Sequence, residues 1–452
     1  MFALTEKFTM QELVEKIYSV VWSLPFILVL LSVGLYFSFK LRFIQIRFLK
    51  QIFKRPAKEK SGNKSALGDI SNFASLCTAL SATLGTGNIV GIAVAVSVGG
   101  PGTLFWLALS SFFSLATKYC EGFLAIQYRR VGSDGKIAGG PMYYIEKGLN
   151  SRFLAKLFAF LGAWVALLGT GTFVQANSIA AAASSFGVSK YMTTIVLSMI
   201  VAMVIFGGIH RIAETAKKVV PTMTICYIVI AVTILILRAD MILPALKLIF
   251  IDAFHPRAVV GGGVGTAVIY SIQIGVSRGI YCHEAGLGSA AIASAAAKVN
   301  NGREQGLISM FGAFMSIIVC IMTGLVLILT SSDTNIFSDA CDIPSTLLTA
   351  HAFGSGLGIL SLGSQVVNVS ILFFAFTTII GWNYYGEKCV QYLVSTKAIV
   401  YYRILFLIFV MIGPFLQINT AFIVADIVIG LMAIPNIIAL IMLRKEIVKG
   451  TM

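Results

Sequence analysis

Within eight positions the second apolar stretch of the chain carries Ser81, Thr83, Leu84, Gly85, Thr86, Gly87 and Asn88, with Gly91 close behind. Two glycines and three hydroxyls ahead of an asparagine make a poor helix interior. At bilayer depth, unwound backbone survives only where it lines a cavity or is buried in protein. Freed carbonyls there, with threonine or asparagine oxygens, can coordinate a hard monovalent cation, and a half-helix N-terminus can meet a carboxylate. The same composition also suits close helix packing through small residues. A second glycine-interrupted run holds Gly261, Gly262, Gly263, Gly265 and Thr266, then Gln273, Gly275, Ser277, Arg278 and Gly279. It continues through Tyr281, Cys282, His283, Glu284, Ala285, Gly286 and Gly288 to Ser289. Thr377, Thr378 and Trp382 surround Gly381. Positions 378 and 382 share a helix face, so a hydroxyl can complete a cation shell and an indole can wall a small pocket. A membrane tryptophan also serves as an interface anchor. Gln175 lies among Gly169, Thr170, Gly171 and Thr172; its amide can bind an amino or carboxylate group, or bridge two helices.

Ionisable residues inside apolar segments are functional candidates by default. Lys118 and Glu121, three apart, read as a pair near the cytoplasmic end of their helix. Glu284 and Arg278 read as anchors of the inner end of their span, and His283 as a group that titrates near neutral pH or simply packs. No Walker-type loop, HExxH or GxSxG occurs, nor a nucleophile with a matching base. That disfavours an ATP-driven pump and an enzyme. The 7 cysteines include no CxxC pair, so neither a disulfide framework nor a zinc site is indicated.

The elements that must position these residues are membrane helices. Of 452 residues, 58% are hydrophobic and 12% charged, against about 45–50% and about 25% in soluble domains. At roughly 20 residues per crossing, apolar runs near 18–39, 70–117 (two crossings hinged at 99–102), 153–184, 190–209, 216–238, 262–296, 305–330, 361–386, 401–418 and 420–443 predict eleven spans. Residues 343–360 read as a short outer helix. The net charge of +15 reads as cytoplasmic loops rather than a nucleic-acid surface. Lys and Arg crowd the loop at 40–64 and alternate loops thereafter, and the tail ends in Arg444, Lys445 and Lys449. Parity puts the N-terminus outside and the C-terminus in the cytoplasm. The basic run at 40–64 reads as a solvated loop near anionic lipid, or as a regulatory site. Residues 1–16 have no early apolar core, so no cleaved signal peptide is expected. The two broken segments fall in spans two and seven. Such corresponding breaks point to an inverted-repeat transporter with its site at the midplane.

Several runs closely resemble the alanine/glycine:cation symporter family over nearly the whole chain: Gly34-Leu35-Tyr36, Gly85-Thr86-Gly87-Asn88-Ile89, Gly99-Gly100-Pro101-Gly102, Gly139-Gly140-Pro141-Met142-Tyr143-Tyr144, Glu284-Ala285-Gly286-Leu287-Gly288-Ser289, and Gly381-Trp382 through Lys388. The resemblance implies an all-α polytopic membrane protein with a leucine-transporter-like fold, two inverted five-helix repeats and one extra N-terminal helix. The chain would divide at 1–65, 66–240 and 241–452. Carried over by motif, Gly85, Thr86, Gly87, Asn88, Gln175, Gln273, Thr378 and Trp382 would bind substrate. Sodium would sit between carbonyls near Ser81 and Leu84 and the hydroxyls of Thr377 and Thr378, with a second ion at Thr83 and Asn88. Where the family usually has a small polar residue followed by Asn, this chain has Cys282-His283, a departure that bears on gating and leaves proton coupling open.

The implied function is import of alanine or glycine by sodium symport across a bacterial or archaeal inner membrane. The rivals are transport of another neutral amino acid such as glutamine or serine, a non-transporting amino-acid sensor, and a membrane enzyme.

Overall fold

A computed structural model describes residues 10–47, 67–132, 135–255, 264–299, 301–334, 336–337, 343, 345–416 and 418–452. Most of the basic run at 40–64, the glycines at 261–263, and Asp339 and Asp342 lie outside the described residues.

The architecture is helical apart from one two-stranded ribbon. Omitting single turns, the helices begin with α1 (Met10–Val21), α2 (Leu24–Lys40), α3 (Asn72–Thr83), α4 (Val90–Gly99) and α5 (Gly102–Gln127). Strands β1 (Arg130–Val131) and β2 (Ile137–Ala138) follow, paired antiparallel with Arg130 opposite Ala138. Then come α6 (Pro141–Gly148), α7 (Arg152–Leu168), α8 (Phe173–Ser184), α9 (Lys190–Ile205), α10 (Gly208–Leu237) and α11 (Ile242–Phe254). The remainder are α12 (Val264–His283), α13 (Ser289–Ala295), α14 (Gly302–Leu329), α15 (Ser345–Leu357), α16 (Leu360–Leu393), α17 (Ala398–Ile412), α18 (Ile418–Met442) and α19 (Arg444–Thr451).

Among the described residues, 7 helical segments are long and apolar enough to cross a membrane, or 8 if the bent pair α3 and α4 counts as one. These are properties of a polytopic helical membrane protein. The ten apolar runs appear as helices in the expected order, but α9 has only 16 residues and α5 carries Lys118, Glu121 and several hydroxyls. Residues 345–357 form the short α15 where an outer helix is expected.

Local chemistry sets the helix ends that matter. Ser71 caps α3 by accepting from the Ala74 N–H. Gly100, with φ 78, turns the chain between α4 and α5. The Asp252 carboxylate of α11 then accepts from the Gly102 N–H at 2.9 Å and caps α5 from a distant part of the chain. α5 runs through the middle of the bundle, packed against α12 and α14.

The second glycine-rich segment breaks at a place its composition did not single out. α12 continues unbroken through Gly275 and Gly279 to His283. Those glycines seat against α5: a Cβ on Gly275 would fall 2.6 Å from the Thr103 carbonyl. The interruption comes at 284–288, where Glu284, Gly286 and Gly288 have φ of 53, 91 and 76. Residues at that break, the ribbon and α19 mark one end of the bundle; the α4–α5 turn and α11 mark the other.

Candidate functional site

The axes on either side of residues 84–85 are bent by 63°, and Asn88 holds the break. Its Oδ1 accepts from the Gly85 N–H at 3.0 Å, while its own N–H donates to the Gly85 carbonyl. Both backbone donors are thereby diverted from the carbonyls of Ser81 and Leu84, which they would have met in a continuous helix. The Asn88 amide also donates to Ser316 Oγ at 2.8 Å and to Cys320 Sγ at 3.1 Å on α14. That residue is therefore occupied in holding the turn.

The two freed carbonyls, and that of Phe374 within α16, converge on one hydroxyl. Thr378 Oγ1 lies 3.0 Å from the Ser81 carbonyl, 3.1 Å from that of Leu84 and 2.9 Å from that of Phe374. A hydroxyl donates once, so at most one of the three can receive its proton. Buried carbonyls without donors are costly. An oxygen-only cluster of this kind has the ligand chemistry of a hard cation. The neighbouring Thr377 shares the Phe374 carbonyl but has no bond to Ser81 or Leu84; its hydroxyl faces Met223 of α10. Ser81 meets Thr378 through its carbonyl, while its hydroxyl donates to the Thr78 carbonyl. Thr83 turns back to Ala79 and Leu80, so the structure does not gather Thr83 and Asn88 into a second cluster.

Beside this cluster lies a set of buried, unpaired polar atoms. The Thr86 N–H donates to Gln175 Oε1 at 3.2 Å. Gln175 Nε2 and Thr86 Oγ1 have no partner among the described residues. Gln175 reaches this point because α7 and α8 are interrupted at 169–172, which sets α8 against the turn. A Cβ on Gly85 would lie 2.8 Å from Thr378 Oγ1 and 3.2 Å from Gln175 Nε2, so glycine keeps the gap between them clear. One helical turn beyond Thr378, Trp382 is 1% exposed. Its ring meets Tyr385 edge-on at 5.4 Å, and its indole nitrogen is unpaired.

Tyr281 is a further wall that residue types alone did not reveal. Its ring edge would be 2.6 Å from a Cβ on Gly87, and its hydroxyl is buried without a hydrogen bond, as is that of Thr170. Spacing along the sequence carries no sign that α12 crosses Gly87. Gln273, two turns earlier on α12, does not join the group. It lines a separate cavity of about 310 Å³ with Tyr18, Trp22, Val94, Tyr270 and Arg278. None of residues 85–88, 175, 378 or 382 lines that cavity. Its face of α12 is turned towards α1 and α4, which a glycine-rich register could not settle.

Between that cavity and Tyr281, Arg278 Nη2 bonds Asp426 of α18 at 2.9 Å. The Trp22 indole donates to the Asp426 carbonyl at 2.9 Å. Arg278 thus ties α12 to α18 partway along α12, rather than anchoring its inner end. His283 is fully buried, and its Nδ1 accepts from the Ala285 N–H at 3.1 Å.

Over residues 7–452 the sequence matches the Sodium:alanine symporter family. It is 47% identical to an uncharacterized transporter of Haemophilus influenzae, over 98% of this chain and 96% of that protein. It is 43% identical to the sodium/alanine symporter AgcS of Methanococcus maripaludis, over 97% and 96% of the two chains. It is 34% identical to the probable sodium/glutamine symporter GlnT of Bacillus subtilis, over 97% and 90%.

Proposed function

The chain belongs to the sodium:alanine symporter family, and from that premise we propose that it imports alanine or glycine by sodium symport. Sodium is the coupling ion, held where Thr378 Oγ1 meets the carbonyls of Ser81, Leu84 and Phe374. That convergence of three carbonyls on one hydroxyl is the observation that carries the reading. The amino acid takes the adjoining space. Its carboxylate meets the turn at Gly87, whose N–H is not among those bonded to Asn88, Gln175 or Gly85, and Gln175 and Trp382 supply further donors. Tyr281 and Trp382 restrict the side chain to a small one. Because Leu84 and Gly85 are consecutive, the ion and the carboxylate share one break, and either ligand orders backbone that the other needs. Differential binding of this kind is what coupling requires.

The architecture that goes with this reading has eleven spans. Residues 66–240 and 241–452 form inverted five-helix repeats, with 1–65 preceding them. α3 with α4, and α12 with α13, are the broken first helices of each repeat. The ribbon end faces the cytoplasm, since Arg129, Arg130, Lys147, Arg444 and Lys445 collect there.

Labelled alanine uptake into proteoliposomes tests the function. A sodium gradient should drive accumulation, and excess glycine should block it. Binding without accumulation would replace the carrier with a sensor. The likeness to GlnT favours a second reading, transport of glutamine; inhibition by glutamine and not by glycine would select it.

A further inference from the structure

Where α12 gives way to α13, three ionisable side chains are buried together. Lys118 and Glu121 of α5 are 2% and 1% exposed, and Glu284 is 2% exposed. Glu121 Oε1 accepts from the Gly286 and Gly288 N–H groups, each at 2.9 Å, and from Asn436 Nδ2 of α18 at 2.8 Å. Its other oxygen lies 3.8 Å from Lys118 Nζ. Three donors and a cation suit Glu121 to be the charged carboxylate. Lys118 is directed elsewhere for its short contact, donating to the backbone carbonyl of Glu284 at 3.0 Å.

The Glu284 carboxyl forms no ion pair of its own, with the Lys118 ammonium nearby but bonded to the backbone. Ser289 Oγ donates to its Oε2 at 2.6 Å, and among the described residues it has no ion pair. From α16, the Trp382 indole nitrogen lies beside it, outside hydrogen-bond geometry, and the Tyr385 hydroxyl is buried nearby, also unpaired. Tyr144 of α6 reaches the group through Asn436, to which it donates. His283 precedes Glu284 in the chain, but the nitrogen that accepts from Ala285 carries no proton. A buried carboxylate without an ion pair of its own is costly to keep charged. Glu284 also holds a left-handed backbone conformation, φ 53, which side-chain-bearing residues keep only where the surroundings impose it. A cavity of about 10 Å³ touches Lys118 and is lined by Ser75, Thr83, Ser294, Gln305 and Ser309, room for one water.

We propose that Glu284 carries a proton in this conformation, and that Glu284, Lys118 and Glu121 form a protonation-dependent lock on the break between α12 and α13. The proposal rests on the carrier reading and adds a proton-binding residue to its cycle. When the break opens and water enters, the carboxyl O–H gives its proton to water and leaves a hydrated carboxylate. Closing again requires that proton back. Trp382 links the lock to the substrate space, since the same indole walls both.

Sodium-driven alanine uptake is measured in proteoliposomes with equal pH on both sides, from pH 5.5 to 9. The wild-type rate should fall at least tenfold across the alkaline half of this range. Glu284→Gln, a permanently neutral isostere, should vary less than twofold. A flat wild-type profile, or a Glu284→Gln profile that follows the wild type, overturns the proposal. Should Glu284→Gln fail to fold, wild-type protein in weak buffer at pH 8 gives the answer: adding alanine in sodium should take up protons. Alanine binding without proton uptake overturns the lock alone. No alanine uptake by the wild type at any pH overturns the carrier reading, and the lock with it.

Discussion

At the residue scale, Thr378 and Arg278 make the sharpest predictions. Thr378 is the single side chain on which three carbonyls converge, so Thr378→Ala removes the hydroxyl and leaves the carbonyls facing one another. A lost ligand of this type is worth about 1–3 kcal/mol. The sodium concentration for half-maximal uptake should rise by roughly 5- to 100-fold, and Thr378→Ser should recover most of it. Unchanged sodium activation in Thr378→Ala would remove the ion from this position, whereas Thr377→Ala is expected to leave it nearly unaltered. Arg278 and Asp426 test pairing rather than binding. Their side chains are 14% and 6% exposed, so Arg278→Met strands a buried carboxylate at a cost of about 3–5 kcal/mol. Thermal unfolding should show that loss, and the double variant Arg278→Met with Asp426→Leu should regain much of it. Equal stability of the single and double variants would mean that the pair is not coupled.

At the element scale, the ends of broken helices are tied to the ribbon. Arg129 donates to the carbonyls of Ala295, Ala297 and Val299, at 3.1, 2.7 and 2.5 Å, which satisfies the end of α13. The start of α3 is joined to the same place, since the Ile70 N–H donates to the Ala296 carbonyl and the Lys298 N–H to the Ile70 carbonyl. Asp69 accepts from the Ile137 N–H of β2, and Lys388 of α16 donates to the Ile137 carbonyl. Both broken helices therefore meet in one latch at the ribbon end. Charge-assisted hydrogen bonds contribute about 1.5–3 kcal/mol each. In Arg129→Ala, amide exchange at 137–138 and 296–299 should quicken by about tenfold or more, with little change in α14. Exchange at the wild-type rate would mean that the latch is held by the other contacts.

At the scale of the whole molecule, the distribution of charge predicts orientation. α19 packs beneath α5 at the ribbon end: Tyr119 Oη donates to Thr451 Oγ1, and Tyr128 Oη to Glu446 Oε2 at 2.6 Å. If basic residues mark the cytoplasmic side, a cysteine replacing Lys449 should react with a membrane-impermeant maleimide only after permeabilisation of the cells. Labelling of intact cells would invert the arrangement. On that arrangement the α4–α5 turn would lie outside, and the cavity beside Gln273 and Arg278 would face the incoming substrate.

The class of the molecule, the order of its helices and the first break were legible in the sequence because composition and glycine spacing are local properties. A run of 81–88 with so few helix formers favours a break over a plain helix, and Thr378 and Trp382 share a face wherever their helix is placed. The second break was less legible. Gly275 and Gly279 have the same composition signal as Gly286 and Gly288, and only the approach of α5 shows that the first two serve packing. Nor could spacing choose between Thr377 and Thr378, seat Gln273 on the cavity lined by α1 and α4, or bring Tyr281 against Gly87. Those outcomes depend on the rotation of one helix about its axis relative to another, which a single sequence leaves free. The absence of an ion pair at Glu284 among the described residues is of the same kind: the residue is visible in the sequence, but only the structure shows Lys118 turning to a backbone carbonyl. Sequence determined which groups could do the chemistry, and packing decided which of them meet, because contacts between helices depend on distances that chain order does not encode.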